Sequence, residues 1–293
     1  MSPKKSKTRD LESLLLEYER QITDDTVLAH SRLAECTEGY FDVLDFLAIK
    51  GSRRQNYRHY ATRKRIDSIL SNKEIYLTDG SGWNDKYDRE RFNPKFSPFK
   101  RFGICMSATG SESIAMWMLY GGTDGNGAMI NFDKKTLKNA MNLKQYECGH
   151  FDKDGQFICV ELLDAKRITF QLVDILYFSR KEDGTESFKV GRAGDRYVEL
   201  SSYRTLDGLQ QIIKHKSWSY ESEVRLVASV DKLWLAGRDS SIKCIKVPLA
   251  IDEDFISTRV FDSPVSDDSG HYLDSELRGT VDWELCKECE YKQ

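Results

Sequence analysis

Glu221 and Glu223 are separated by a single serine, and Arg225 follows at the next alternate position. They sit in the stretch Ser217-Trp218-Ser219-Tyr220-Glu221-Ser222-Glu223-Val224-Arg225-Leu226-Val227. From Ser222 to Val230 the alternation predicts a strand, with Val224, Leu226 and Ala228 on one face and Glu223, Arg225 and Val227 on the other. Glu221 then shares the face of Glu223 and Arg225. Three charges beside Trp218 and Tyr220 are costly to bury without partners. A solvated strand face or a structural ion pair is the bland reading. The sharper one is a carboxylate held at the mouth of a pocket, where it can take part in acid–base chemistry. Arg225 decides between them: if it neutralises Glu223, an ion pair remains and the catalytic use is lost.

Other residues with chemical potential are spread along the chain: His59-Tyr60, Asn84-Asp85, Ser107, and Trp117 with Tyr120. Each has a structural reading. A lone histidine is more often a hydrogen-bonded structural residue, and Trp117 and Tyr120, three apart on a helix, are more often core. Familiar phosphate-loop, dinucleotide-fold and zinc-protease signatures are absent, as is the nucleophile elbow of the hydrolases. The seven cysteines are scattered and mostly in apolar contexts. Cys286 and Cys289 form one close pair with no second pair to complete a zinc site, so no metal is expected.

The elements that must position these residues follow from pattern. Tyr57–Ala61 reads as a strand, Thr62 as a cap, and 63–70 as a helix with Ile66, Ile69 and Leu70 inward. His59 therefore precedes a helix N-terminus, where free amides suit anionic ligands. Ile75–Leu77 is a strand, and 79–100 reads as a loop and irregular excursion. Strands follow at Phe102–Ser107 and Gly127–Asp133, with a short helix through Leu119, capped by Ser111 or Ser113, between them and another at 134–141. The span from about 144 to 194 reads as a β meander, 195–214 as helical, and Ile242–Val247 as a strand. Residues 1–9 are expected to be disordered, 10–50 to form an N-terminal helical subdomain, and 51–293 to form one α+β domain. The 293-residue chain carries a formal net charge of -3, with 40% hydrophobic and 31% charged residues. It lacks the overall basicity of a nucleic-acid coat, although Lys50, Arg53, Arg54, Arg58, Arg63, Lys64 and Arg65 form a local basic segment. No apolar run reaches membrane-spanning length and no apolar signal core follows the basic N-terminus, so the expectation is a cytoplasmic protein without a membrane partner.

The ordered set resembles an uncharacterised bacterial family, a domain of unknown function. The matching residues are His59-Tyr60, Ile69 to Leu77, Asn84-Asp85, Cys105-Met106-Ser107, Met116 to Gly121 and Gly127 to Phe132. Lys214, Trp218, Tyr220, Glu221, Glu223, Arg225 and the tail Ile256 to Pro264 complete it. The likeness covers roughly residues 57 to 285. Lys86 stands where the family usually has proline, and the helical front end lies outside the match.

The family's layout is similar in turn to the ADP-ribosyltransferase superfamily. That resemblance implies a split β-sheet core around a cleft, NAD as substrate, and transfer of ADP-ribose to a macromolecular acceptor, protein or nucleic acid, by a toxin or antiphage effector. Cleaving the nicotinamide–ribose bond passes through an oxocarbenium-like cation, which a carboxylate stabilises. By resemblance Glu223 takes that role and Glu221 orients or deprotonates the acceptor. His59 would bond the adenosine ribose or phosphates. Tyr60 or Tyr120 would stack on nicotinamide, Trp117 would wall the pocket, and Ser107 would fix the middle strand. The basic residues near His59 would meet the pyrophosphate or a nucleic-acid acceptor. An NAD glycohydrolase differs only in using water. A non-catalytic nucleotide sensor on the same fold is the alternative from another class: catalysis needs His59, Ser107 and Glu223 to line one cleft, whereas the sensor tolerates their separation. A nuclease using Asp85, Glu221 and Glu223 with a divalent metal is a third.

Overall fold

The computed structural model describes residues 54–93, 97–121, 126–180, 186–189, 197–200, 212–235, 237–238, 240–264 and 271–273. The expected disordered tail and helical subdomain, and the Cys286–Cys289 pair, lie outside these residues. In chain order the elements are β1 (Tyr57–Thr62), α1 (Arg63–Asn72), β2 (Glu74–Thr78), α2 (Lys86–Phe92), β3 (Phe99–Ser107), α3 (Ile114–Tyr120), β4 (Gly127–Phe132) and α4 (Lys134–Ala140). Then come β5 (Gln145–Phe151), β6 (Phe157–Asp164), β7 (Ile168–Asp174), β8 (Leu176–Arg180), β9 (Glu186–Lys189), β10 (Tyr197–Leu200) and β11 (Ile213–His215). Last are β12 (Glu223–Asp231), β13 (Cys244–Pro248), α5 (Glu253–Arg259) and β14 (Val260–Asp262).

The class is mixed α+β, and the sheets are mostly antiparallel. A 10-stranded sheet runs β14-β4-β1-β3-β2-β13-β5-β6, with β12 joining β3 to β7. A 4-stranded sheet runs β10-β9-β8-β11; its β11–β8 pair is parallel.

β3 is the branching strand. One edge pairs with β12 along its whole length, from Glu223 opposite Ser107 to Asp231 opposite Phe99. The other edge meets two strands, each at one residue pair: Arg58 of β1 with Ser107, and Thr78 of β2 with Gly103. Residues 104–106 between them face a split in the sheet. The core lies on the strands around this branch, where Phe102, Ile104, Met106, Val224, Leu226 and Ala228 are buried with Ile66 and Leu77. Alternation in β12 puts these apolar residues on the core face and sends Glu223 and Arg225 to the other.

Three expectations are corrected. The excursion at 79–100 contains α2, whose N-cap Asp85 accepts hydrogen bonds from the amides of Tyr87 and Asp88 at 2.9 and 3.3 Å. The stretch read as helical at 195–214 carries β10 and β11, because pairing with β9 and β8 overrides a short apolar spacing that fits either period. Glu221 does not lie on the strand. It ends a 3-10 turn, Lys216–Glu221, and Ser222 follows with φ 43 in the left-handed region. That reversal, uncommon outside glycine, turns the Glu221 carboxylate toward Lys214 and Tyr120 rather than along β12.

Candidate functional site

The split opens into a cavity of about 700 Å³. β1 contributes His59 and Tyr60, α3 contributes Tyr120, and the turn before β12 contributes Glu221, with Glu223 at the start of the strand. Volume of this order suits a ligand of nucleotide size.

His59 bridges the split. Its Nδ1 donates to the carbonyl of Cys105 at 3.1 Å, on the edge of β3 that neither β1 nor β2 pairs with at this position. Burial lowers the imidazole pKa to about 4, and the charge of Arg65 adds to this. The ring is therefore neutral near pH 7, with its proton on Nδ1. Nε2 is enclosed without a partner, so its lone pair can accept from a ligand hydroxyl or amine.

The opposite wall is a buried charge network. Arg225 is fully enclosed and forks between two carboxylates. Its Nη1 and Nη2 donate to Asp88 at 2.9 and 2.5 Å. Its Nε donates to Glu223, and Nη2 reaches the same carboxylate at 3.1 Å. Trp83 covers the guanidinium, 4.6 Å from its ring centre, which adds a cation–π contact. Lys214 donates to Glu221 at 2.6 Å and to Glu223 at 3.3 Å. The Tyr120 hydroxyl donates to the other oxygen of Glu221. Thus Asp88, Glu221 and Glu223 share Lys214 and Arg225.

The two glutamates differ in consequence. Burial alone would raise Glu223, but Arg225 and Lys214 outweigh it and hold its carboxyl below the usual range. Glu221 is raised, first by burial and then by the charge of Glu223; Lys214 and Tyr120 only partly oppose this. Lys214 also feels burial most, yet the two glutamates raise it above an ordinary lysine. Burial and Glu221 push the Tyr120 hydroxyl up, so it stays a donor. A raised carboxyl on a cavity wall is the group best placed for proton transfer.

The remaining sequence-derived residues fall into two groups. Asn84, exposed at the cavity wall, lies against the Tyr120 hydroxyl. Ser107 and Trp117 do not line the cavity. Ser107 is fully buried opposite Glu223, its hydroxyl 3.3 Å from that of Thr109. Trp117 is buried, packed edge-on against Tyr60 at 4.8 Å between ring centres, and donates to Glu112 at 2.6 Å. Asp85, the acid of the nuclease reading, uses its carboxylate as the α2 cap. Among the described residues no cluster of three or more His, Cys, Asp or Glu is arranged to hold a metal ion.

Asp88, Lys214 and Trp83 were not among the site residues expected from sequence, and Arg58 was expected only as one of the basic residues near His59. Asp88 sits in the segment read as irregular, 137 positions from Arg225, and no local pattern links them. Lys214 was visible in the shared motif, but its position was read as the end of a helix.

DUF2971, a family of proteins of unknown function, matches residues 116–226. The DUF2971 span includes Trp117, Tyr120, Lys214, Glu221, Glu223 and Arg225, and ends before β12 does. It leaves His59, Asp88 and Ser107 outside. No curated protein matches the chain, and no solved structure does. Among the described residues no helix is long and apolar enough to cross a membrane.

Proposed function

We propose that the cavity binds NAD and that the protein cleaves its nicotinamide–ribose bond, passing ADP-ribose to a macromolecular acceptor or to water. The observation that carries this reading is that His59, Tyr60, Tyr120, Glu221 and Glu223, from three separate segments, line one nucleotide-sized cavity. A sheet split around that cavity is also what the ADP-ribosyltransferase resemblance implies.

The roles differ from those the resemblance assigns. Glu223 is tied to Arg225 and Lys214, and serves to fix the network. Glu221 is the acid–base group: nicotinamide leaves with the bonding electrons, the acceptor attacks the ribose carbon, and its proton passes to Glu221. The neutral His59 suits a ribose hydroxyl at Nε2 and not a phosphate, because only a lone pair is on offer there.

Two observations favour a second reading. Ser107 lies outside the cavity that His59 and Glu223 line, and Arg225 neutralises Glu223 as in a structural ion pair, so the cavity can serve a sensor that binds a nucleotide without cleaving it. Incubation with labelled NAD and a cell lysate separates the two. Labelled macromolecule that vanishes in Glu221→Gln supports transfer, and free nicotinamide without labelling supports hydrolysis. NAD binding without consumption supports the sensor. Neither binding nor consumption by the folded protein rejects NAD as the ligand.

A further inference from the structure

The cationic side chains of Lys214 and Arg225 each have carboxylates against them. Arg58 does not. It is 3% exposed and lines the same cavity. Its Nη1 and Nη2 donate to the carbonyls of Ser111 and Gly110 at 2.5 and 3.1 Å, which satisfies hydrogen bonding without supplying a counter-charge. Its Nε is enclosed with no partner. Tyr60, 5% exposed, also lines the cavity. Its hydroxyl lies near Arg58, Glu112 and Ser113 without hydrogen-bonding geometry to any of them. A buried guanidinium that is hydrogen-bonded to carbonyls but has no ion pair among the described residues is costly, and an anion beside it removes that cost.

The element that follows points the same way. Thr62 occupies the N-cap of α1 but makes no side-chain cap bond, and the first turn contains no acidic residue. It holds Arg63, Lys64 and Arg65 instead. The N-terminal end of a helix is already positive, so cations there oppose its dipole. Arg63 is offset by Asp67 and Asp262. Arg65 is exposed at the cavity wall with Thr62. No ion pair among the described residues engages Arg58 or Arg65. A helix N-terminus flanked by guanidinium groups recognises phosphate oxygens through amides and forked donors.

We propose that Arg58, Tyr60, Arg65 and the first turn of α1 form a subsite for a phosphate or diphosphate ester, across β3 from the wall of Glu221 and Glu223. The inference deepens the proposed function by assigning the anionic part of the ligand to Arg58 and Arg65 rather than to His59. It requires a phosphorylated ligand in this cavity, whether or not a bond is cleaved there.

Calorimetric titration of the full chain with ADP, inorganic pyrophosphate and adenosine tests it. ADP is expected to bind about tenfold more tightly than adenosine, or better, and pyrophosphate to compete with it. Arg65→Ala, exposed and therefore safe for the fold, weakens ADP about tenfold and leaves adenosine unchanged. Arg58→Gln weakens ADP at least as much, with folding checked by circular dichroism; should it unfold, Arg65→Ala decides. Lys64→Ala, in the same turn but outside the cavity, leaves both affinities alone. Equal affinity for ADP and adenosine overturns the subsite, as does undiminished ADP binding in Arg65→Ala. Absence of ADP and pyrophosphate binding at millimolar concentration also overturns it. NAD turnover indifferent to both arginine variants removes the subsite and leaves bond cleavage standing. Arginine-dependent ADP binding without NAD turnover supports the subsite and removes cleavage alone.

Discussion

Without the Arg225 guanidinium, Asp88 and Glu223, both buried, would keep only the more distant Lys214 as a shared cation. Arg225→Met is therefore expected to cost roughly 3–5 kcal/mol, measured by urea unfolding. A loss below about 1 kcal/mol would mean that solvent reaches the carboxylates and that the network is not structural. His59 gives a second test at this scale. Its folded pKa lies at about 4, mainly through burial, against an ordinary value of 6.5. The unfolded chain takes the proton first, so stability falls as pH drops from about 6.5 to about 4, by about 3 kcal/mol at most. His59→Asn keeps a donor for the Cys105 carbonyl and removes the titration. Its stability should vary less across that window, and an unchanged slope would show that His59 is not the group responsible. That Glu223 and Arg225 share one face was legible from the alternation of the strand, whereas Glu221, read onto the same strand, ends the turn before it. Their partners were less legible. Asp88 and Arg225 meet only through folding, and Arg58 gave no sign that it would be buried without an ion pair among the described residues.

Strand and helix positions around the split were readable wherever a pattern was long or well punctuated. β1, α1 and β2 follow one another as expected, and Ser113 caps α3, accepting from the amide of Met116 at 3.4 Å. The readings failed where tertiary pairing selects between two periods, as at β10 and β11, or where proline hid a short helix, as at α2 before Pro94 and Pro98. The β5–β6 hairpin carries a constraint of a different kind. The register shifts between Cys148 and Gly149. A Cβ added to Gly149 would lie 1.8 Å from the carbonyl oxygen of Ile158. The obstacle is backbone and cannot rotate away. Gly149→Ala should cost roughly 3 kcal/mol in chemical denaturation, with β5 pushed from β6. A neutral substitution would mean that the bulge re-registers at little cost.

For the molecule as a whole, α+β followed from strands interrupted by single helices, but the branching of the sheet did not. No local spacing states that β1 and β2 will share one edge of β3 while β12 takes the other. That sharing creates the cavity and brings β1, α3 and the start of β12 to its walls. A chain with the same elements in an unbroken sheet would close the gap beneath His59. The branching also has a dynamic signature. Successive amides along a strand point to opposite edges, and the Cys105 carbonyl faces the split, where His59 holds it. The Cys105 amide therefore faces the split as well, whereas those of Ile104 and Met106 face the β12 ladder. In deuterated water Cys105 should exchange by local fluctuation while its two neighbours wait for a much larger opening. A single fast position inside a slow central strand would mark the split in solution, and a bound ligand that covers it should slow that position first.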